Sequence, residues 1–244
     1  MGNKKTLLTA LLLLFLWGSM GCGTVDYFFL KPPEDTAQEL AEAGRAAMAE
    51  KDYDAAIEYF TKLKERYPFS PYTPDAELAL GDAYFLDEQY KAAVDTYKEF
   101  ESLHPRHKAI PHVLFQIGLA NFKQFDSIDR PQTNMEEALQ YFRRVQQGFP
   151  ETPYAEKAGD YITQCRRYQA EHELFVADFY WRREDFGAAW KRYAYVAEEF
   201  AELPKIQDYA RDRQEIAYLR YQQHRSQTKR EEEQGSWKQW FDWL

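Results

Sequence analysis

A repeated spacing of alanine, aromatic and apolar residues constrains this chain of 244 residues more than any other feature. In four segments an alanine is followed after four residues by Phe or Tyr, after seven by an apolar residue, and after eleven by an aromatic residue or histidine. The members, in chain order, are Ala56, Phe60, Leu63 and Tyr67; Ala93, Tyr97, Phe100 and His104; Ala138, Phe142, Val145 and Phe149; and Ala189, Tyr193, Val196 and Phe200. Such steps place side chains on one face of an α-helix.

Small residues and prolines extend this pattern on both sides. Pro68, Pro105 and Pro150 directly follow the first three segments and end each predicted helix, because proline cannot continue one. Gly44, Gly81 and Ala177 stand twelve residues before their alanines, and Gly118 lies 37 residues after Gly81. The whole unit is typical of the tetratricopeptide repeat (TPR). We predict an all-α TPR solenoid, a right-handed superhelix of about five helix-turn-helix repeats.

The repeat boundaries follow from these anchors. We expect the solenoid to cover 35–225, with repeats at about 37–68, 74–105, 111–150, 155–203 and 205–225. The third repeat carries an eight-residue insertion, which we expect to be an exposed loop. Fourteen extra residues should lengthen the first helix of the fourth repeat. The fifth helix pair lacks the anchor residues and resembles a capping element.

The N-terminal residues have the order of a secretory signal, with Lys4 and Lys5, an apolar run and then small residues. The run is too short for a bilayer span, which needs about 20 residues. The small residues precede Cys22, which resembles the acylated cysteine of a bacterial lipoprotein, although Ser19 stands where leucine is usual. We predict a signal peptide at 1–21 and a lipidated tether at 22–34. An uncleaved anchor and myristoylation of Gly2 remain alternatives.

The lipoprotein resemblance also implies a location. In bacterial lipoproteins an aspartate after the acylated cysteine favours retention at the inner membrane, whereas Gly23 follows here. We therefore expect the chain to be lipid-anchored at the periplasmic face of the outer membrane.

The C-terminal residues 226–244 are first charged and then aromatic, ending in Trp237, Trp240, Phe241, Trp243 and Leu244. Three interpretations are open. The aromatic residues could dock on the solenoid, enter a bilayer interface where Trp is favoured, or fill a groove on a partner.

The composition argues against several classes of function. A net charge of −9 is poorly matched to nucleic acid, whose phosphates require clustered Lys and Arg. His104, His107 and His112 fall in a turn between repeats, and Val176 stands where the second histidine of a metalloprotease motif beginning at His172 would be. We expect no metal site, no cofactor and no enzymatic activity. Cys165 should be a packed core thiol.

Particular stretches narrow the function further. "RYPFSPY" closes repeat one, "LHPRH" closes repeat two, "IGLANF" opens repeat three and "VADFYWRREDFGAAWKRY" lies in repeat four. Together with the lipoprotein-like residues that end in Cys22, they resemble the BamD family. Its members are lipoproteins of the outer-membrane β-barrel assembly machinery. The resemblance implies a periplasmic scaffold that helps to fold and insert β-barrel proteins. Its implied partners are the insertase, through its periplasmic domains, other assembly lipoproteins, unfolded β-barrel proteins, and the membrane through the N-terminal lipid.

The same resemblance implies roles for individual residues. The N-terminal repeats of the family receive the C-terminal targeting segment of the unfolded substrate, which assigns substrate-groove candidates to Tyr67, Phe69 and Tyr72, with Tyr84 and Phe85 as neighbours. An aromatic-lined groove suits such a segment. The C-terminal repeats contact the insertase, which assigns that contact to Arg192, Arg182 and Arg183.

Other functions would share the repeats. One alternative is a periplasmic TPR adaptor lipoprotein for cell-wall synthesis or envelope constriction. A second is a lipoprotein partner of an export system, and a third is an enzyme with an unrecognised active site.

Overall fold

The computed structural model describes residues 35–234, and every regular element in that range is a helix. In chain order the helices are α1 (Ala37–Glu50), α2 (Tyr53–Arg66), α3 (Thr73–Leu86), α4 (Tyr90–Leu103), α5 (Ile110–Lys123), α6 (Thr133–Gly148), α7 (Pro153–Arg182), α8 (Phe186–Glu199) and α9 (Pro204–Gln234). The predicted signal peptide, Cys22 and the tether, and the aromatic residues after 234, lie outside the described residues. Within 35–234 no helix has both the length and the apolar character of a bilayer span.

The helices stack in the order of the chain. Four hairpins (α1–α2, α3–α4, α5–α6 and α7–α8) pack in succession, and α9 packs against α8. Several first helices of neighbouring hairpins also touch one another, namely α1 with α3, α5 with α7 and α7 with α9. No contact of similar extent joins consecutive second helices in the described range. The first helices therefore line the inner side of an all-α TPR solenoid.

The predicted anchor residues form the core. All four alanines, the aromatic residues four positions later and the apolar residues seven positions later are buried. Their clusters follow one another along the stack, since one joins the first two hairpins, another the second and third, and two more join α7, α8 and α9. This segmentation is expected of a repeat protein, in which each unit contacts mainly its neighbours.

A small residue on each first helix makes room for the ring of the second helix. A Cβ atom added at Gly81 would lie 2.6 Å from Cε1 of Tyr97, and one added at Gly118 would lie 2.8 Å from Cε1 of Phe142. Such distances are far below van der Waals contact. In the fourth hairpin Ala177 is fully buried and packs in the same cluster as Tyr193.

The turns within the first, second and fourth hairpins share an unusual backbone conformation. Lys51, Glu88 and Glu184 have φ angles of 62°, 59° and 60°, in the left-handed region that favours glycine. In the first and fourth hairpins an aspartate follows and caps the next helix. Asp52 accepts from the N–H of Ala55, and Asp185 accepts from that of Ala188.

Ion pairs connect successive second helices on the outer side. Lys64 Nζ of α2 lies 2.5 Å from Glu99 Oε2 of α4, and Lys98 and Glu101 of α4 pair with Glu137 and Arg144 of α6. Long side chains span the gap that separates these helices. Because the pairs are partly exposed, each contributes at most about 1 kcal/mol.

The lengthened first helix of the fourth repeat is confirmed, since α7 has 30 residues. Its first part packs against α6 and its second part against α8.

The expected fifth helix pair is wrong, because residues 205–225 lie in a single helix that runs on to Gln234. The segment contains neither glycine nor proline between Pro204 and Gly235 and is rich in Gln, Arg and Glu, so nothing in it ends the helix. The first part of the predicted charged tail, 226–234, is therefore helical.

The inserted loop between α5 and α6 is only partly exposed. The ring of Phe125 stacks on Tyr168 of α7 with centroids 4.4 Å apart, and Nδ1 of His172 donates to the carbonyl oxygen of Ile128 at 2.5 Å. Gln132 is buried, and its amide donates to the carbonyl of Arg130 at 2.7 Å. The loop is thus fixed against the first half of α7.

The contact between small residue and ring predicts opposite effects for two glycine substitutions. Gly81→Ala should lower the free energy of unfolding by about 1–2 kcal/mol, because overpacking against Tyr97 outweighs the gain in helix propensity. The control is Gly159→Ala in α7, where a new Cβ would lie 3.4 Å from the flexible amide of Gln146. This change should stabilise the protein by roughly 0.5–1 kcal/mol. Urea denaturation measures both values, and stabilisation by both changes would contradict the packing.

Candidate functional site

The loop between α2 and α3 holds three of the predicted substrate residues in different environments. The hydroxyl of Tyr67 donates to the carbonyl of Asp35 at 2.8 Å, and its ring packs against the first core cluster together with Tyr72. Phe69, between them, is 99% exposed. Two of the three predicted residues therefore support the loop, and one is displayed to solvent.

Backbone and hydroxyl hydrogen bonds hold this loop in place. The hydroxyl of Thr73 donates to the carbonyl of Tyr67 at 2.5 Å, and the N–H of Ser70 donates to the same oxygen at 3.0 Å. The N–H of Thr73 donates to the carbonyl of Ser70 at 3.1 Å. Phe69 is thus presented from an ordered turn, which lowers the entropic cost of binding through it.

Tyr84 and Phe85 lie at the other end of α3. Tyr84 packs at the junction of the first two core clusters, and Phe85 makes an edge contact with Tyr90 at 5.5 Å between ring centroids. Twelve residues of helix separate Phe85 from Thr73, or about 18 Å. The five predicted substrate residues therefore occupy two places, one at each end of α3.

Arg192 lies in α8 and bonds across to α7. Its Nη1 is 2.5 Å from Oε2 of Glu173, and 45% of the arginine side chain is exposed. Tyr195, one turn further along α8, is also exposed. Partial burial of its ring raises the pKa of Tyr195, and Glu173 and Glu199 add to this effect.

Arg182 and Arg183 lie at the C-terminal end of α7, away from Arg192. Nine residues of helix separate Glu173 from Arg182, or about 14 Å, so the three predicted insertase contacts do not form one cluster. The guanidinium of Arg183 lies over the ring of Phe179, 5.5 Å from its centroid.

An exposed aromatic stripe on α7 was not predicted from the sequence. Phe175 and Phe179 are 41% and 42% exposed and lead towards Arg183 at steps of four residues. The same side of α7 carries Tyr168, which the inserted loop covers through Phe125. Beyond the loop Phe175 and Phe179 are left exposed to solvent. The sequence does contain a signal for this stripe, because Phe175 and Phe179 fall on the side of α7 opposite the small residues Ala170 and Ala177.

A groove of about 830 Å³ lies between the outer sides of the second and third hairpins. Lys98, Glu101 and Arg144 line its rim and are already engaged in the ion pairs between α4 and α6, while Tyr141 lies 4.9 Å below the guanidinium of Arg144. Lys98 and Arg144 are therefore already paired with acidic side chains that join α4 to α6.

The residues considered for chemistry make separate structural contacts. Nε2 of His104 lies 2.7 Å from Oε2 of the buried Glu77, and Nε2 of His112 lies 3.1 Å from Oδ1 of Asp82. Among residues 35–234 no group of three or more His, Cys, Asp or Glu side chains is arranged to hold a metal. Burial raises the pKa of the Cys165 thiol to about 12, so it is protonated and unreactive at neutral pH.

Comparisons with known proteins give the chain a family. A family model described as "YfiO: Outer membrane lipoprotein" matches residues 33–234. The "Outer membrane protein assembly factor BamD" of Vibrio cholerae is 29% identical over 201 residues, covering 78% of this chain and 82% of the relative. Proteins with the same name from Pasteurella multocida and Neisseria meningitidis are each 27% identical, over 60% and 78% of this chain and 60% and 74% of their own lengths.

Solved structures resemble the chain more distantly. The TPR2AB-domain:pHSP90 complex of yeast Sti1 gives a TM-score of 0.47 at 15% identity, covering 76% of this chain and 70% of that chain. A thermophilic TPR protein from Thermus thermophilus gives 0.40 at 20% identity, covering 75% and 100%. The assignment of the fold rests on the repeats and contacts of this chain.

The different environments of Tyr72 and Phe69 predict different effects on stability. Tyr72→Ala should lower the free energy of unfolding by about 2 kcal/mol, because it removes a ring packed on the first core cluster. Phe69→Ala should change it by less than about 0.5 kcal/mol, because the ring contacts mainly solvent. Thermal and urea unfolding of both variants measure the difference. Equal losses would mean that Phe69 packs inside the protein.

Proposed function

Because the chain belongs to the YfiO family of outer membrane lipoproteins, we propose that it serves outer membrane protein assembly as a scaffold without catalytic activity. In this proposal it binds unfolded β-barrel proteins, the insertase that inserts them, and other assembly lipoproteins. The family match over 33–234, which includes the whole described solenoid, is the observation that carries the proposal. The shared name of the relatives favours outer membrane assembly over the cell-wall adaptor.

A solenoid can act in assembly without catalysing a reaction. Its stacked helices display a long surface on which separate sites lie at fixed distances. Here the exposed Phe69 belongs to the first turn between hairpins, whereas the α7 stripe and Arg192 belong to the fourth hairpin. Two polypeptides can therefore bind at once, and the fold holds them in a constant relation.

We assign the membrane attachment to Cys22. The residue follows an apolar run and small residues, as in lipoproteins, and the family is described as one of outer membrane lipoproteins. Lipidation there would hold the first hairpin near the periplasmic face of the membrane, because only residues 23–34 separate the cysteine from the described part of the chain.

The substrate contact is assigned to the loop that displays Phe69. An unfolded β-barrel segment exposes alternating apolar side chains and offers an aromatic residue at its end. A phenylalanine presented from a fixed turn can pack against such a ring and gain the contact without first losing much loop entropy. Tyr67 and Tyr72 hold the turn, and Tyr84 and Phe85 form a second aromatic group at the far end of α3.

The insertase contact is assigned to the fourth hairpin. Phe175 and Phe179 supply apolar surface, with Arg182 and Arg183 at one end of the stripe. Arg192 and Tyr195 lie on the neighbouring helix. Interfaces commonly combine an aromatic centre with arginine, since both bury large areas and arginine can bind a carboxylate through two N–H groups.

The substrate assignment predicts a loss of binding on truncation of Phe69. Phe69→Ala should weaken binding of a peptide that copies the end of an outer-membrane β-barrel protein and finishes in phenylalanine, by about tenfold or more. Fluorescence anisotropy of the labelled peptide gives the affinity. The matched control is Leu103→Ala, which removes another exposed apolar side chain, 55% exposed, from the end of α4. Equal affinities for the original chain and Phe69→Ala would remove the loop from the site.

The insertase assignment predicts that Arg192→Glu weakens recovery of a β-barrel insertase in a mild-detergent pull-down of the lipidated chain by about tenfold. Lys191→Glu, which makes the same charge change on the adjacent residue, should have a smaller effect. The pair Glu173→Arg with Arg192→Glu rebuilds the internal ion pair with reversed charges. If the double change restores recovery, Arg192 only supports the fold. If the original chain retrieves cell-wall enzymes and no insertase, the adaptor function is correct.

A further inference from the structure

The groove between the second and third hairpins opens at the ends of two second helices. Its lining includes Ser102 and Pro105, where α4 ends, and Gly148 and Phe149, where α6 ends. Its volume is about 830 Å³. Clefts that bind ligands commonly enclose about 300–1,000 Å³, so this one has room for the side chains of a bound polypeptide.

The floor of the groove is apolar and its entrance is open. Ile110 and Leu114 belong to the first turns of α5, and the rings of Tyr141 and Phe149 pack against the same core cluster. A Cβ atom added at Gly148 would meet no atom within 4 Å in the described range, apart from the backbone of its own helix and its chain neighbours. A side chain can therefore enter past Gly148 and bury apolar surface below it.

Arg144 stands beside the apolar floor as an accessible cation. Its guanidinium lies 4.9 Å from the centroid of the Tyr141 ring, and its Nη2 donates to Glu101. The arginine side chain is 49% exposed, whereas that of Glu101 is 22% exposed. A guanidinium carries five N–H donors, so the bond to Glu101 leaves donors for a second carboxylate.

The surroundings of the groove are basic although the chain is acidic. The turn 104–109, which contributes Pro105 to the lining, carries Arg106 and Lys108 at exposed positions and contains no acidic residue. The whole chain has a net charge of −9. This local excess of positive charge is complementary to an occupant that carries a negative charge.

The groove lies on the same edge of the stack as Phe69. Ion pairs join α2 to α4 and α4 to α6, so the turns that follow these helices, at 67–72, 104–109 and 149–152, are neighbours. With neighbouring helices about 10 Å apart, the groove between α4 and α6 is roughly 15 Å from the turn that displays Phe69. An extended chain covers that distance with about five residues. One extended segment can therefore contact Phe69 and also fill the groove.

We propose that the groove binds the last residue of an unfolded β-barrel protein, with the terminal aromatic ring on the apolar floor and the terminal carboxylate on Arg144. An aromatic ring and a free carboxylate belong to one residue only at the end of a chain, and arginine binds carboxylates through two N–H groups. The inference rests on the substrate binding proposed above. It adds a reason why the end of the substrate is preferred to an internal apolar segment.

Two forms of one peptide test the role of the carboxylate. A labelled peptide that copies the end of an outer-membrane β-barrel protein and finishes in phenylalanine is prepared as the free acid and as the C-terminal amide. Fluorescence anisotropy gives the affinity of each form for the full chain. The amide should bind about tenfold more weakly, because it loses the charge-assisted hydrogen bonds with Arg144. Equal affinities for the two forms would overturn the proposal.

Three variants separate Arg144 from its surroundings. Arg144→Gln should bind the acid and the amide equally. Arg143→Gln removes the same charge from the neighbouring residue, which is outside the lining, and should keep the preference for the acid. Glu101→Gln should also keep it, because this change removes the charge that pairs with Arg144 but leaves the arginine in place. If Glu101→Gln also loses the preference, the ion pair rather than a contact of Arg144 with the peptide is required, and the assignment is wrong.

Gly148→Trp tests the groove itself. The new side chain should fill the entrance and weaken binding of the acid by about tenfold or more, with an unchanged urea midpoint. The control Gln146→Trp adds the same ring at an exposed position of α6 outside the lining and should bind as the original chain does. If Phe69→Ala weakens binding and Gly148→Trp does not, substrate binding at the first turn stands and the groove is excluded. If neither change weakens binding, the substrate assignment and the groove both fail.

Discussion

The close contact between a small residue on one helix and a ring on the next is the interaction on which this stack depends. At Gly81 and Gly118 the second helix approaches so closely that even a methyl group would collide with the ring. The ring then fills the space between hairpins and leaves the core as a chain of small clusters. In the second and fourth hairpins a further bond fixes the ring, because Tyr97 and Tyr193 donate to Asp82 and Asp178. Burial raises the pKa of both tyrosines, so both donors persist at alkaline pH.

Much of the fold could be predicted from residue size and spacing. The anchor alanines, aromatic residues and prolines report how helices pack and where they end, and the distance between anchors revealed the length of α7. The single helix α9 was missed because the regularity of the repeats suggested a pair, whereas the local sequence contains no residue that ends a helix. The docking of the inserted loop was missed because it depends on the face that α7 offers through Tyr168 and His172.

The candidate site was less predictable. Tyr67, Phe69 and Tyr72 belong to one residue class at neighbouring positions, and only the path of the turn decides which ring faces solvent. The partner of Arg192 lies on another helix, so its pairing with Glu173 depends on how α7 and α8 cross. Phe175 and Phe179 had a readable signal, two rings at a helical step facing away from small buried residues, but it becomes informative only once α7 is known to continue past the inserted loop.

The 30 residues of α7 form one unbroken helix about 45 Å long that is shared by the two halves of the molecule. A solenoid of separate short hairpins can flex at each junction. Here the third hairpin packs against the first part of α7, and the second part of the same helix belongs to the fourth hairpin. Any bend between these two hairpins would therefore have to deform α7 itself and disturb its backbone hydrogen bonds.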